Sequence, residues 1–291
     1  MKASDQCVEW SPTKGDDAPL LPWRVQRVYA QEREELDDCV VLEEPLEIAI
    51  NGRSIAALMR MPGQEKELAT GFAVSEGYVR RAEDILLVHH CGSGYPNPRE
   101  ESADPGGARN RVEMRVTTEG FCPPERPDLV RLIRSGCGAA EASVLAETLP
   151  RIEHRLSVSV SVLLGLGKTM RDLQTIHRQA GGTHAAVLFD RAGQAVIAAE
   201  DIGRHNAMDK VIGHCIIWGV PLTDKIVLTS GRASYEMVTK ALRVGIPVLA
   251  SVSSPTSMAV QLAHDRGLTL IGYLRGGRMN VYTHAGRLTD S

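Results

Sequence analysis

The sequence predicts an α/β protein in which a C-terminal three-layer α/β/α domain follows a smaller N-terminal α+β unit. Three observations carry this. Short apolar runs alternate with amphipathic helical stretches over the last hundred residues, the pattern of crossover units that cover a sheet on both faces. The chain has 291 residues, enough for about two domains. Its composition is that of a globular protein, 43% hydrophobic and 24% charged.

The elements follow in order. Residues 1–20 mix Ser, Pro, Lys and Asp without period and read as a disordered tail. Leu46 to Ile50 alternates as a strand, Asn51-Gly52 is a hairpin turn, and Ser54 to Met61 is the return strand. Leu68, Phe72 and Val79 lie at helical spacing, which predicts a helix from Glu65 ending near Gly77. Cys91 to Asn110 reads as a loop and Arg111 to Thr117 as a strand. Arg134-Ser135-Gly136-Cys137-Gly138 is a glycine-flanked loop. An amphipathic helix from Ser161 to Gln179, closed by Gly181-Gly182, opens the second domain. Ala185–Phe189 and Ala195–Ala199 are strands joined by the turn 190–193. There follow a helix from Asn206 to Trp218, a strand Lys225–Thr229, a helix Ala233–Val244, a strand Pro247–Val252, a helix Thr256–Asp265 and a strand Leu268–Leu274. This rhythm predicts a parallel sheet. The expected organisation is a tail at 1–20, an N-terminal domain at 21–160 that includes the Cys137 loop, and an α/β/α domain at 161–291.

Several function classes are disfavoured. No apolar run approaches the roughly 18 residues of a membrane span, and the N-terminus lacks the apolar stretch of an export signal. Aromatics are only 4%, which argues against base-stacking nucleic-acid modules. Six cysteines stand without a C-x-x-C pair, so zinc-ribbon spacing is absent and reduced thiols are expected. Gly165-Leu166-Gly167-Lys168-Thr169 lacks the first glycine of a P-loop and is expected to be part of a helix.

The informative segments are the loops after the strand ends, where open α/β sheets bind ligands. They contain Gly203-Arg204-His205-Asn206 with Lys210, then Ser230-Gly231-Arg232 with Ser234, then Ser253 with Thr256-Ser257, and last Tyr273-Leu274-Arg275-Gly276-Gly277-Arg278. Three of the four set an Arg beside a Gly, and three lead into a helix. Free N–H groups, the helix dipole and guanidinium forks favour a bound phosphate. Charge agrees with this: twelve basic and nine acidic residues lie between Asp172 and Ser291, in a chain of net charge −3. His205 is a candidate base or metal ligand, or else a polar residue orienting a ligand or a loop; His184 is a hydrogen-bonded core histidine, and Glu236 either a helix cap or a proton carrier. Cys137, between two glycines and three residues after Arg134, has the setting of a nucleophilic thiolate.

These loops carry a resemblance. Glu200–Lys210 (EDIGRHNAMDK), Ser230–Glu236 (SGRASYE), Ser253–Val260 (SSPTSMAV) and Leu274–Thr283 (LRGGRMNVYT) closely resemble the FdhD/NarQ family of formate dehydrogenase accessory sulfurtransferases. Glu67–Gly77 and Gly181–Ala186 resemble it too, so the likeness spans about Glu43 to Leu288. It implies a cytidine-deaminase-like fold for the C-terminal domain and a cytoplasmic homodimer. It further implies that Cys137 takes sulfur from a cysteine desulfurase as a persulfide. The sulfur is then passed to molybdenum bis(molybdopterin guanine dinucleotide), the cofactor of formate dehydrogenase, with GDP as a surrogate ligand. The segment around Tyr273 to Arg278 resembles the family's cofactor-contacting stretch. The chain departs from the family loop, C-G-x-C-G-K: Ala140 stands at the second cysteine, Glu141 at the following glycine and Ala142 at the lysine. A single thiol suffices to carry a persulfide, whereas any step that needs a resolving thiol lacks one. Zinc deamination, the enzyme chemistry natural to such a fold, needs H-x-E with P-C-x-x-C, and neither is present at the corresponding helix starts. The alternative function is a non-catalytic chaperone that binds and delivers the molybdenum cofactor.

Overall fold

The computed structural model describes residues 19–91, 110–123, 147–153 and 156–290. Among them are four sheets and six helices. The first eighteen residues of the expected tail and the whole Cys137 loop lie outside this set.

The N-terminal part opens with a ribbon that the sequence reading did not anticipate, β1 (Leu20–Val28) paired antiparallel with β2 (Arg33–Val41). A four-stranded sheet follows, from β3 (Glu44–Ile50), β4 (Arg53–Arg60), β5 (Ile85–Cys91) and β6 (Arg111–Val116), in the order β4-β3-β6-β5. The β3–β4 hairpin turns at Asn51 and Gly52, both with positive φ, as expected of that dipeptide. Helix α1 (Glu65–Ser75) covers the sheet through Leu68, Ala69, Phe72 and Ala73, in one core with Leu46, Ile48, Val112 and Met114. It stops where the sequence predicts, with Gly77 at φ 81.

The C-terminal part is built on a six-stranded sheet. Its strands are β8 (His184–Phe189), β9 (Ala195–Asp201), β10 (Ile226–Thr229), β11 (Val248–Ser251), β12 (Thr269–Arg275) and β13 (Arg278–Val281), in the order β13-β12-β11-β10-β8-β9. A short pair, β7 (Val158–Ser159) with β14 (Leu288–Thr289), lies beside it. Helix α2 (Val160–Leu173) packs Leu163, Leu166 and Met170 on one face, against Val187, Phe189, Leu228 and Ile271. Helices α4 (Arg204–Ile217), α5 (Tyr235–Arg243) and α6 (Ser257–Arg266) cover the other, through Val211, Val238 and Leu262 against Ala186, Val227 and Leu249. This is the expected three-layer α/β/α arrangement.

Two details differ from the expectation. The sheet is mixed rather than parallel: only β10, β11 and β12 run parallel, while β8 is antiparallel to both β9 and β10, and β13 is antiparallel to β12. The single helix expected from Ser161 to Gln179 is two, α2 and α3 (Thr175–Ala180), broken at Gln174 with ψ 76. The Glu200 carboxylate accepts the N–H groups of Ile176 and His177 at 2.8 and 2.9 Å, so a tertiary anchor starts the second helix afresh. The segment Gly165–Thr169 is helical within α2. Leu149 and Ile152 share the core of α4, α5 and α6, and Leu156 and Val158 that of α2.

Candidate functional site

The mixed pairing still brings the loops together. Since β8 runs opposite to both neighbours, the C-terminal ends of β9, β10, β11 and β12 and the start of β8 share one rim of the sheet.

Backbone and hydroxyl bonds stitch these loops to one another. The Ser230 hydroxyl accepts the Ala185 N–H at 2.9 Å and meets His184 Nδ1 at 3.2 Å. Ser251 Oγ donates to the Gly231 carbonyl at 2.6 Å and accepts the Ser253 N–H at 2.9 Å. Ala233 N–H bonds Ser254 O, Thr256 N–H bonds Ala233 O, and Tyr273 N–H bonds Ser253 O. Tyr273 adopts φ 54 inside a bulge of β12, and Arg275 lies over its ring at 5.8 Å. Gly276 and Gly277 both have positive φ and form the tight turn into β13, so Arg275 and Arg278 are paired across a hairpin. That hairpin replaces the plain end of a strand that the sequence suggests.

The rim is electropositive and rich in donors. Helices α4, α5 and α6 all begin here, at Gly203, Ser234 and Thr256, and none of these N-cap residues closes its helix with a side-chain bond. Three positive helix ends therefore face one space. Arg232, Arg275 and Arg278 are exposed beside it, as is Ser257, while Arg204, His205, Ser253 and Thr256 are half-buried. Gly231 lets the Arg204 side chain lie close against the loop: a Cβ there would stand 2.8 Å from Arg204 Cδ and displace that side chain. Arg204 Nε and His205 Nε2 are buried and hydrogen-bonded to no described residue. Burial, and then the positive charge of Arg232, lower the Arg204 pKa. Burial, followed by Arg204 and Lys240, pushes His205 down to about 4, so its ring is neutral at neutral pH. Burial and then Arg204 lower His184 as well. Burial works to raise the Glu236 carboxyl, but Ser234, its own backbone N–H, His205 and Arg204 together hold it low, so it stands as an anion at the start of α5.

Not every predicted residue faces this space. The Lys210 ammonium is buried, 2.7 Å from Asp201, and donates to the carbonyls of Met61 and Glu200 at 3.0 and 3.3 Å. Asn206 donates to Met59 O and Asp201 Oδ1 at 2.8 and 2.9 Å. Both side chains tie the N-terminal sheet to the rim. Leu274 is 1% exposed and belongs to the core under α2, so only its backbone accompanies Tyr273 and Arg275. Ser234 and Gly231 are buried. Cys137 lies outside the described residues.

A buried charge network that sequence reasoning missed supports the rim from behind. Lys240 of α5 contacts Asp209 of α4 at 2.9 Å, Glu76 at 2.6 Å and Ser75 Oγ at 2.8 Å. Ser75 Oγ also donates to Asp209 Oδ1 at 2.7 Å. Two carboxylates share one ammonium in a dry interior; burial, the largest influence, raises Asp209 to about 6 against the pull of Lys240. In the sequence only Asp209, a carboxylate in the same helical run as Met208, Val211 and Ile212, hints at it. Among the described residues no group of three His, Cys, Asp or Glu side chains is placed to hold a metal ion, and no helix is long and apolar enough to cross a membrane.

Comparison with known proteins covers nearly the whole chain. The family model described as the FdhD/NarQ family matches residues 41–289. A protein named sulfur carrier protein FdhD from Mycobacterium tuberculosis is 38% identical over 279 residues, covering 91% of this chain and 97% of that one. One of the same name from Sulfolobus acidocaldarius is 34% identical over 266 residues, with the same coverage of 91% and 97%. A crystal structure described as that of a formate dehydrogenase accessory protein from Desulfotalea psychrophila superposes with a TM-score of 0.74 at 26% identity, over 94% of this chain and all of that one.

Proposed function

The chain belongs to the FdhD/NarQ family, and from that premise we propose that it is a sulfur carrier in the maturation of formate dehydrogenase, with Cys137 as the carrying thiol and the rim as the seat of the molybdenum cofactor. The observation that carries the second half is the convergence of Arg204, Arg232, the Arg275–Arg278 hairpin and three uncapped helix starts on one edge of the sheet. Molybdenum bis(molybdopterin guanine dinucleotide) is the substrate, and its two pyrophosphates match such a surface. The buried, unpaired Arg204 Nε–H and His205 Nε2 are groups that a seated ligand would satisfy. Neutral His205 orients by hydrogen bonding and adds no charge. Lys210, Asn206, Asp201 and the Lys240 network hold the rim in place.

In the carrier step the Cys137 thiolate attacks the terminal sulfur of a persulfide on a cysteine desulfurase. The donor's S–S bond breaks, the donor cysteine leaves as thiolate, and Cys137 holds the sulfur as a persulfide. In the transfer step an electron pair of the cofactor, the substrate here, forms the new bond to the outer sulfur; the S–S bond breaks, Cys137 leaves with its electron pair as thiolate, and the cofactor is oxidised by two electrons. Neither step calls on a second cysteine. The protein works in the cytoplasm as a homodimer in this reading, with the desulfurase and formate dehydrogenase as its partners.

The deciding experiment is mass spectrometry of the protein after incubation with a cysteine desulfurase and cysteine. One added sulfur on the peptide with Cys137, absent from Cys137→Ala, is the expected result. An unmodified Cys137, with GDP binding retained, would leave a cofactor chaperone without sulfur transfer.

A further inference from the structure

We propose that the β1–β2 ribbon is a docking surface for a second copy of this chain, whose own ribbon stacks on it face to face about a two-fold axis. The ribbon pairs nine residues on each strand in unbroken register, from Leu20 with Val41 to Val28 with Arg33. Among the described residues it meets the rest of the chain chiefly at β2, beside α3, where a Cβ on Gly182 would lie 3.7 Å from Val41 Cγ2. None of residues 20–41 is buried, and none enters the three hydrophobic cores. A two-stranded ribbon is marginal in water unless something packs on it.

The two faces of the ribbon differ. Directly paired residues share a face, and successive residues along a strand alternate between faces. One face carries Arg24, Gln26, Glu35 and Asp37, with an Arg24–Glu35 ion pair at 2.9 Å, and has Val41 at its Gly182 end. The other carries Leu21, Trp23 and Val25 opposite Val40, Asp38 and Leu36, then Arg27 opposite Glu34 nearer the tip. This second face is apolar over most of its length, yet Trp23 is 60% and Val40 40% exposed. Apolar side chains that stand together in water mark an interaction site.

The order of charges along this face selects the occupant. A two-fold contact is self-complementary: where a residue meets a second residue of the partner, that second residue meets the partner's copy of the first. With the axis parallel to the strands, each residue faces the partner's copy of its own cross-strand neighbour. Leu21 then meets the partner's Val40, and Val25 the partner's Leu36. Trp23 presents its indole N–H to the carboxylate of the partner's Asp38. Arg27 meets the partner's Glu34. Aliphatic residues thus cover aliphatic ones, and each charge finds a donor or an opposite charge. An axis across the strands, centred on Val25, would instead lay Glu34 over the partner's Asp38, and like charges would oppose each other.

This contact rests on the homodimer of the reading above, whose surface it names, and not on its sulfur chemistry. Sedimentation equilibrium on the full chain tests it. Wild type should form a dimer. Val25→Arg, which sets a charge in the middle of the apolar stripe, should weaken association about 100-fold or more. Arg27 and Glu34 are exposed in the single chain, so Arg27→Glu and Glu34→Arg fold as wild type does. Each should weaken association about tenfold, because two like-charged pairs replace two ion pairs across the axis. An equimolar mixture of these two variants restores both pairs and should associate as tightly as wild type. Restoration between two different chains is a result that no change of stability within one chain produces. A Val25→Arg dimer as tight as wild type, or a mixture no tighter than its separate components, overturns the ribbon contact and leaves the homodimer to another surface. A wild type that is monomeric at every concentration overturns both, while sulfur loading of Cys137 is read independently by mass.

Discussion

Gly71→Ala places one methyl group where α1 crosses α4, and the structure sets its cost. A Cβ at Gly71 would lie 1.8 Å from the Asp209 carbonyl oxygen and 2.6 Å from its carbon, and one at Gly213 would lie 1.8 Å from the Glu67 carbonyl oxygen. Ordinary contact begins near 3.4 Å, so the helices must part by roughly 1.5 Å, and the obstacle is backbone that cannot rotate away. Overpacking of this kind costs about 1–3 kcal/mol or more. The same movement stretches the Ser75–Asp209–Lys240 bonds, and a charged hydrogen bond is worth about 1.5–3 kcal/mol. Against this stands a gain of about 1 kcal/mol from replacing a helical glycine by alanine. The net loss is on the order of 3 kcal/mol, a fall in melting temperature of roughly 6–12 °C for a chain of this size. Thermal and urea unfolding followed by circular dichroism measure it. Gly165→Ala is the control: within α2 its Cβ meets nothing within 4 Å, so it should stabilise by about 0.5–1 kcal/mol. Since α4 starts with Arg204 and His205, the Gly71 variant should bind GDP more weakly as well. A Gly71→Ala protein that melts within about 2 °C of wild type would refute the rigid crossing on which this reasoning depends.

Further outcomes follow from the site. Arg232→Ala and Arg278→Ala should each weaken GDP by about 10- to 150-fold if each makes one charged hydrogen bond, as calorimetry would report, and unchanged affinity in both would remove the phosphate seat from the rim. His205, held near 4 against about 6.5 in the unfolded chain, makes wild type less stable as pH falls through that window, because only the unfolded state then binds the proton. Relative to His205→Gln, wild type should lose about 3 kcal/mol between pH 6.5 and 4, and urea midpoints that run parallel for the two proteins would contradict the buried neutral ring. Ala140→Cys supplies a thiol that can attack a persulfide on Cys137, so sulfide release under a fixed reductant should rise; equal rates would show that one cysteine suffices.

Much of this protein is local and therefore legible in its residues. The Asn51-Gly52 turn, the stop of α1 at Gly77, the strand and helix alternation after Gly182 and the four Gly-, Ser- and Arg-rich loops all depend on neighbours a few positions away, and all stand where periodicity and turn chemistry put them. The family motifs are continuous runs for the same reason. What the tertiary structure decided is how distant segments meet. Strand direction depends on which edges pair in space, so the mixed sheet was not written in the apolar runs of β8 to β12. The helix after Val160 breaks at Gln174 because the carboxylate of Glu200, on another strand, starts α3. Lys210 sits within a motif that reads as ligand-binding, but its partner Met61 is 149 residues away and draws the ammonium inward. Gly71 and Gly213 look like poor helix residues until α1 and α4 are seen to cross through them. Periodicity records which face of an element is apolar; only packing decides what that face, and each charge along it, will touch.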